Sequence, residues 1–292
     1  MSLIATVRNR TRALLLARDA ATDPRRQPWR AARGASESGS WQRVCNICGW
    51  HGAEFAGPPH SEMANCSVCG AIARDRFLYW CWTERIPYDP KARVLETSPR
   101  LDARYRDRMA ALVRYTASDY DETAHKAMIK LDLQDMQLPD DSVDVTLTPH
   151  VLEHVPDTRR AVAELYRVTS PGGSVLLMIP MPQGATAPPT EPEYHGDNTL
   201  VFWRFGWDLR GILEDAGFEV DCLVPQALID RVRRGDFDSG WSDGAIDEVS
   251  LLSACEPDLL TPVADERESR RHGFEPDLHF ITWHCRKTAL RR

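Results

Sequence analysis

From Lys91 onward, short apolar runs alternate with amphipathic stretches, and the two periods trade places along the chain. Ala92–Thr97 reads as a strand, and Leu101–Val113 as a charged helix. Arg114–Ser118 and Met128–Leu131 are two further strands, each followed directly by an aspartate, Asp119 and Asp132. Val143, Val145 and Leu147 then alternate with polar neighbours through a fourth strand, entered from the turn signal Leu138-Pro139-Asp140-Asp141-Ser142. Asp157 caps a helix whose apolar stripe is Ala161, Val162, Leu165 and Val168, and Pro171-Gly172-Gly173 is expected to stop it. Ser174–Ile179 is a buried fifth strand. Helix Trp207–Ala216 ends at Gly217 before strand Phe218–Val224, and a last strand spans His279–Cys285.

Alternating strands and helices of this length build a parallel sheet covered on both faces. The expected fold class is therefore α/β, a Rossmann-like, doubly wound, seven-stranded sheet. In such sheets ligands bind beyond the carboxyl ends of the strands. Three successive strands finish in acids there: Glu96, Asp119 and Asp132. A carboxylate after the second strand is placed to accept hydrogen bonds from ribose hydroxyls.

Upstream the pattern changes. Cys45-Asn46-Ile47-Cys48-Gly49 and Cys66-Ser67-Val68-Cys69-Gly70 are two CxxCG turns with 17 residues between them. Two residues between thiolates aim both sulfurs at one ion, and the following glycine lets the backbone curl beneath it. Cys45, Cys48, Cys66 and Cys69 thus predict a tetrahedral, structural Zn2+ site with no open position. A redox role for either pair is the competing reading, and the ribbon-like repeat favours zinc. Cys81, Cys222, Cys255 and Cys285 lie in apolar stretches and read as core residues. The aromatic run Arg74-Asp75-Arg76-Phe77-Leu78-Tyr79-Trp80-Cys81-Trp82 predicts a helix wedged between the knuckles and the sheet.

Composition changes the picture at the N-terminus. Residues 1–34 hold eight arginines against Asp19 and Asp23, a net +6, so the rest of the chain stands at −13. An acidic body repels phosphate backbones, so no nucleic-acid partner is favoured. Leu3, Ile4, Val7, Leu14 and Leu15 interleave with arginines in an amphipathic helix suited to peripheral contact with an anionic surface, or to docking on the domain. Residues 31–40 (AARGASESGS) read as a linker. No run of eighteen apolar residues predicts a transmembrane helix, and no secretory signal precedes the cysteines, so the expected setting is cytoplasmic and reducing. The expected division is a basic helix and linker at 1–40, a zinc module with its connecting helix at 41–85, and a catalytic domain at 86–292. That last domain carries an acidic insertion at 225–277 that includes Trp241 and is expected to cover the site or an oligomer surface.

The segment from Leu138 to Asp157, LPDDSVDVTLTPHVLEHVPD, resembles the signature that follows strand four in class I S-adenosylmethionine-dependent methyltransferases of the type 11-like group. Glu164-Leu-Tyr-Arg-Val-Thr-Ser-Pro-Gly-Gly173 adds to it, and the resemblance covers about residues 91–224. With the knuckles, the chain resembles bacterial zinc-ribbon methyltransferases. The resemblance implies S-adenosylmethionine as cofactor, with Asp119 on the ribose, Asp132 and Leu133 at the adenine edge, and Pro149 and His150 beside the methionine moiety. Glu96 and Ser98 would line the same cleft. The family's glycine-rich loop after the first strand is missing here, where Val94-Leu-Glu-Thr-Ser-Pro-Arg100 has no glycine. Either the pocket is reshaped or the cofactor has been lost, and Arg74 or Arg76 would compensate by holding the cofactor carboxylate.

Methyl transfer needs a positioned nucleophile and a proton acceptor rather than a metal or a covalent residue. His150 and His195 are the candidate bases, with His154 the third histidine of the region. Tyr194, Trp203 and Trp207, in or beside a proline-rich crossing, are the candidate substrate contacts. The expected reaction is methylation of an oxygen or nitrogen of a small molecule such as a secondary metabolite or sugar. RNA or protein methylation with the zinc module as reader, and an inactive scaffold, stay open as alternatives.

Overall fold

Seven strands pair into one sheet in the order β10-β11-β7-β6-β3-β4-β5, where β3 is Arg93–Thr97, β4 Arg114–Asp119, β5 Ile129–Lys130, β6 Val143–Pro149, β7 Thr169–Ile179, β10 Glu219–Leu223 and β11 Ile281–Arg286. The computed structural model describes residues 22–35, 43–57, 63–121, 127–180, 185–195, 198–225, 266–273 and 281–289. The stretch from Leu3 to Leu15, loop residues Pro58–His60, Cys255, His279, Trp241 and most of the 225–277 insertion lie outside the described residues.

Both sheet faces are apolar because successive strand residues alternate between them. In β7, Val175, Leu177 and Ile179 join one core with Leu165 and Val162 of α4 (Thr158–Val168) and Leu209 and Leu213 of α5 (Leu209–Asp215). Their neighbours Leu176 and Met178 join the opposite core with Tyr105 and Met109 of α3 (Ala103–Leu112). Helices thus cover both faces, as the double winding requires. Asp102 and Asp157 cap α3 and α4 by accepting the Tyr105 and Arg160 backbone N–H groups.

Two expectations are corrected. The sheet is not wholly parallel: β11 runs antiparallel to both β7 and β10. The chain leaves β10 at the edge where β11 begins, so a reversed strand needs no crossover back across the sheet. Nor does Pro171-Gly172-Gly173 stop α4. The helix ends at Val168, and Thr169 already belongs to β7 while its Oγ1 donates to the Leu165 carbonyl at 2.6 Å. The proline and glycines loop out of β7, where Gly172 N–H and Gly173 C=O pair with Lys287.

The cysteine segment shares the second core. α2 (Ala73–Arg85) lies against β6 and β7, burying Phe77, Leu78, Trp80, Cys81 and Trp82 together with Cys45, Ile47 and Cys66. Aromatic rings of this kind gain about 2–3 kcal/mol each on full burial, which locks the segment to the sheet.

The N-terminal arginines are also used internally where the structure describes them. A 3-10 turn at Pro24–Arg26 leads into α1 (Gln27–Ala35), so residues 31–35 of the expected linker are helical. Arg25 is buried, paired bidentately with Asp23, and its guanidinium sits 4.7 Å from the Trp82 ring centroid. Arg26 pairs with Glu84 at 2.7 Å. Fixed this way, these two arginines cannot serve a membrane or anionic partner.

Candidate functional site

The chain runs β3, β4, β5 outward on one side and then returns to β6 on the other side of β3, so the strand order reverses between β3 and β6. A crevice opens at the carboxyl ends of strands at such a reversal. Thr97 ends β3 and donates to Thr148 Oγ1 across it at 2.7 Å.

Two residues at this edge take left-handed backbone angles without being glycine: Ser98, with φ 51°, and His150, with φ 49°. Each costs on the order of 1 kcal/mol, a strain that clusters at functional sites. At Ser98 the loop that lacks glycine still makes the reversed turn, and the side chain is put to use. Ser98 N–H donates to the Ser118 carbonyl at 2.6 Å and its hydroxyl to Asp119 Oδ2 at 2.9 Å. The hydroxyl therefore orients the acid that the sequence assigns to the ribose. Asp119 Oδ1 accepts the Asp121 N–H at 3.2 Å.

Beyond β5, Asp132 accepts from the backbone N–H of Gln134 at 2.8 Å, an Asx turn at the far rim. Leu133 is buried in the core, leaving its backbone at the edge. Tyr120, directly after Asp119, is 69% exposed and was not singled out by sequence, its place beside a strand-end acid being the signal for it; Met128, 63% exposed, donates its backbone N–H to the Ala117 carbonyl of β4. Pro149 is the last residue of β6, and His150 N–H continues the ladder to the Met178 carbonyl at 2.9 Å.

Glu96 does not line the cleft as expected. Its carboxylate accepts from Tyr115 Oη at 2.7 Å and Tyr105 Oη at 3.0 Å, beneath the sheet edge. Burial pushes the group up to about 7, against the two tyrosine hydrogen bonds that pull it down. The folded pKa lies above the ordinary 4.5, so the neutral acid stabilises the fold fully below about pH 4.5, and that stabilisation is lost as pH rises through about 7. Roughly 3 kcal/mol is at stake. Glu96→Gln should flatten the melting temperature between pH 5 and 8 relative to the native chain. An unchanged slope in that variant would mean that another group sets it.

Arg76 is likewise not a cofactor anchor. It is fully buried, stacked 3.7 Å from the Phe55 ring centroid, and donates to the carbonyls of Ala71, Ala64 and Gly273. With both terminal nitrogens committed, no bidentate fork remains for a carboxylate. Arg74, one residue from the helix start, is half-buried on α2.

After His150 comes a 3-10 turn, Leu152–His154, and then a hairpin of β8 (Glu193–Tyr194) and β9 (Leu200–Val201) docks on that turn. Phe202 N–H and Trp203 N–H both donate to the Glu153 carbonyl. His154 and His195 rings meet edge to face with centroids 4.6 Å apart. His150 Nδ1 lies 3.5 Å from Glu153 Oε1. Burial alone raises the Glu153 carboxyl, yet His150 and His154 hold it below its ordinary value, so it stays ionised. Burial lowers the His195 imidazole, which favours its neutral form. Glu153 was missed by sequence reading because one acid between two apolar residues looks like any helix-start residue.

Of the expected substrate contacts, Tyr194 is exposed on the hairpin. Trp203 donates its indole N–H to the Pro156 carbonyl at 3.0 Å, and Trp207 packs edge to face on Trp283 at 5.8 Å. Both of these indoles pack against the first core of the sheet.

The four knuckle sulfurs converge. Cys45 and Cys69 Sγ are 3.6 Å apart, and Cys48 and Cys66 Sγ 3.5 Å. A disulfide would need about 2.05 Å, whereas sulfurs about 2.3 Å from one tetrahedral ion stand about 3.8 Å apart. The spacing therefore fits a zinc ion and not a bond. Burial pushes the Cys45 thiol up, and hydrogen bonds from Cys45 and Cys48 pull that of Cys66 down, a split that a shared cation would remove. Gly49 and Gly70, with φ 79° and 72°, make the expected left-handed curl and donate N–H to the Cys45 and Cys66 carbonyls at 2.8 Å.

The known proteins similar to this chain include methyltransferases. Residues 102–177 match the family model described as a methyltransferase domain. A probable S-adenosylmethionine-dependent methyltransferase of Mycobacterium tuberculosis is 38% identical over 173 residues, covering 54% of this chain and 61% of its own length. Another from Mycolicibacterium smegmatis is 29% identical over 146 residues, covering 46% of this chain and 56% of its own. The chain thus spans less than two thirds of either relative. Among solved structures, an S-adenosylmethionine-dependent methyltransferase from Mesorhizobium loti aligns with 15% identity and a TM-score of 0.44, over 74% of this chain and 98% of that one.

Proposed function

We propose that the chain is an S-adenosylmethionine-dependent methyltransferase acting on an oxygen or nitrogen of a small molecule, braced by a structural zinc ion on Cys45, Cys48, Cys66 and Cys69. The observation that carries the reading is the acid at the end of β4, held by Ser98 at the strand-order reversal, within a methyltransferase-domain match. When bound, the cofactor supplies an electrophilic sulfonium methyl. Asp119 would accept hydrogen bonds from its ribose hydroxyls, while Asp132 and the Leu133 backbone would read the adenine edge.

Pro149 and His150 stand on the β6 side of the same crevice. With its Nδ1 turned towards ionised Glu153, His150 has Nε2 left to take the proton of an incoming hydroxyl or amine. Tyr194 and Phe202 offer exposed aromatic surface on the hairpin for the acceptor. His195, on that hairpin, is the second candidate base.

The test is calorimetric titration of the full chain with S-adenosylmethionine and S-adenosylhomocysteine, followed by methyl transfer to a metabolite pool. Micromolar binding and labelled small products are expected. Failure to bind either ligand would sink the enzyme reading and leave the scaffold. His150→Ala should retain cofactor affinity and lose about 10²–10⁴-fold in kcat. Retention of kcat would move the base to His195.

A further inference from the structure

We propose that Glu153, His154 and His195 form a second metal site, for a divalent first-row ion such as Zn2+ or Fe2+, that ties the β8–β9 hairpin to the turn after β6. The ligand atoms of these three residues lie within 4.8 Å of one another. It is independent of the cofactor reading, since the hairpin and turn would be joined with or without a methyl donor.

Glu153 is 1% exposed, and among the described residues neither of its carboxylate oxygens accepts a hydrogen bond. Leaving a buried anion in that condition is costly, and a cation is the ordinary remedy. Of the imidazoles around it, His150 comes nearest, with Nδ1 3.5 Å from Oε1, at the outer limit of a hydrogen bond. His154 Nε2 stands 4.0 Å from Glu153 Oε1, beyond a hydrogen bond. Atoms that each lie about 2.1 Å from one shared ion are about 3.4 Å apart at the tetrahedral angle and about 4.2 Å apart when opposite. The 4.0 Å separation lies between those two values, a distance that a shared ion can span.

The ring orientation agrees. His154 Nδ1 lies 2.7 Å from the Leu200 carbonyl, and a carbonyl can only accept, so the proton sits on Nδ1. In its neutral form the ring then carries a lone pair on Nε2 facing the carboxylate. A histidine held through its other nitrogen by a backbone carbonyl is the usual arrangement behind a metal ligand. His195 packs edge to face on His154, and it is carried by the hairpin whose Leu200 supplies that carbonyl. One carboxylate and two imidazoles suit borderline ions and leave a further coordination position open.

The site is chemically distinct from the four cysteines, so one probe separates the two. Full-length protein, stripped of metal by chelation under reducing conditions, is titrated with Co2+ and followed by absorption. Cobalt at the cysteines shows intense thiolate charge-transfer bands. Cobalt at Glu153, His154 and His195 shows only weak visible bands. The native chain should bind an equivalent of the second kind. His195→Ala, a change on the surface hairpin, should weaken that equivalent by about 100-fold or more while the thiolate bands persist and report a folded chain. Glu153→Gln should do the same, and His195→Glu should restore part of it. The proposal is overturned if every bound cobalt shows thiolate bands, or if the second equivalent survives in His195→Ala.

Discussion

Replacing Cys66 by serine, or stripping the knuckles with a strong chelator, is expected to abolish cooperative folding of the described chain rather than loosen one corner of it. Structural zinc in small modules contributes about 10–16 kcal/mol of binding free energy, as large as the 5–15 kcal/mol by which whole domains are stable. Here that energy is coupled to the sheet. Cys45, Ile47 and Cys66 share a core with Leu176 and Met178 of β7 through the aromatic face of α2. Arg76, buried between Phe55 and three carbonyls, would lose the frame that satisfies it. Thermal unfolding by near-ultraviolet circular dichroism should show the tryptophan signal broadening or vanishing in the apo protein and returning with added zinc. An apo protein that melts with unchanged midpoint and sharpness would refute both the ion and the coupling.

Asp119→Ala should weaken S-adenosylhomocysteine binding by about 10²–10⁴-fold while leaving the melting temperature within a few degrees. Two hydrogen bonds from ribose hydroxyls to a carboxylate contribute about 1.5–3 kcal/mol each, which sets that range. The loss is expected to be selective because Asp119 accepts from the Ser98 hydroxyl and the Asp121 N–H, both at the site edge. Ser98→Ala should show a smaller loss of about tenfold, since it frees the carboxylate without removing it. Calorimetry on both variants beside the native chain decides the point. Undiminished affinity in Asp119→Ala would move the cofactor elsewhere.

Much of this architecture was legible in residue order. The strand at Val143–Pro149, the Asp157 cap and the two CxxCG curls follow from local chemistry: period-two alternation, a side-chain acceptor for orphan N–H groups, and a positive φ after each knuckle. Strand-end acids were visible too, but Glu96 turns to two tyrosines while Asp119 meets the Ser98 hydroxyl at the strand edge. Asp119 and Glu96 look alike in sequence, each closing an apolar run. Whether a carboxylate faces a crevice or two tyrosines depends on which partners α3 and β4 bring to it.

The α/β class and the convergence of the two CxxCG knuckles were thus legible in sequence alone, because each rests on a period or spacing within a few turns of chain. Tertiary structure decided the rest. The missing glycine was answered by a strained Ser98, whose φ no propensity discloses. Arg25 and Arg26, two of the basic N-terminal arginines, turned inward to Asp23, Glu84 and Trp82. Glu153, His154 and His195 met only because the β8–β9 hairpin folds back over the turn after β6. Contacts between segments some forty residues apart depend on how loops close and cores fill, and no local pattern records that.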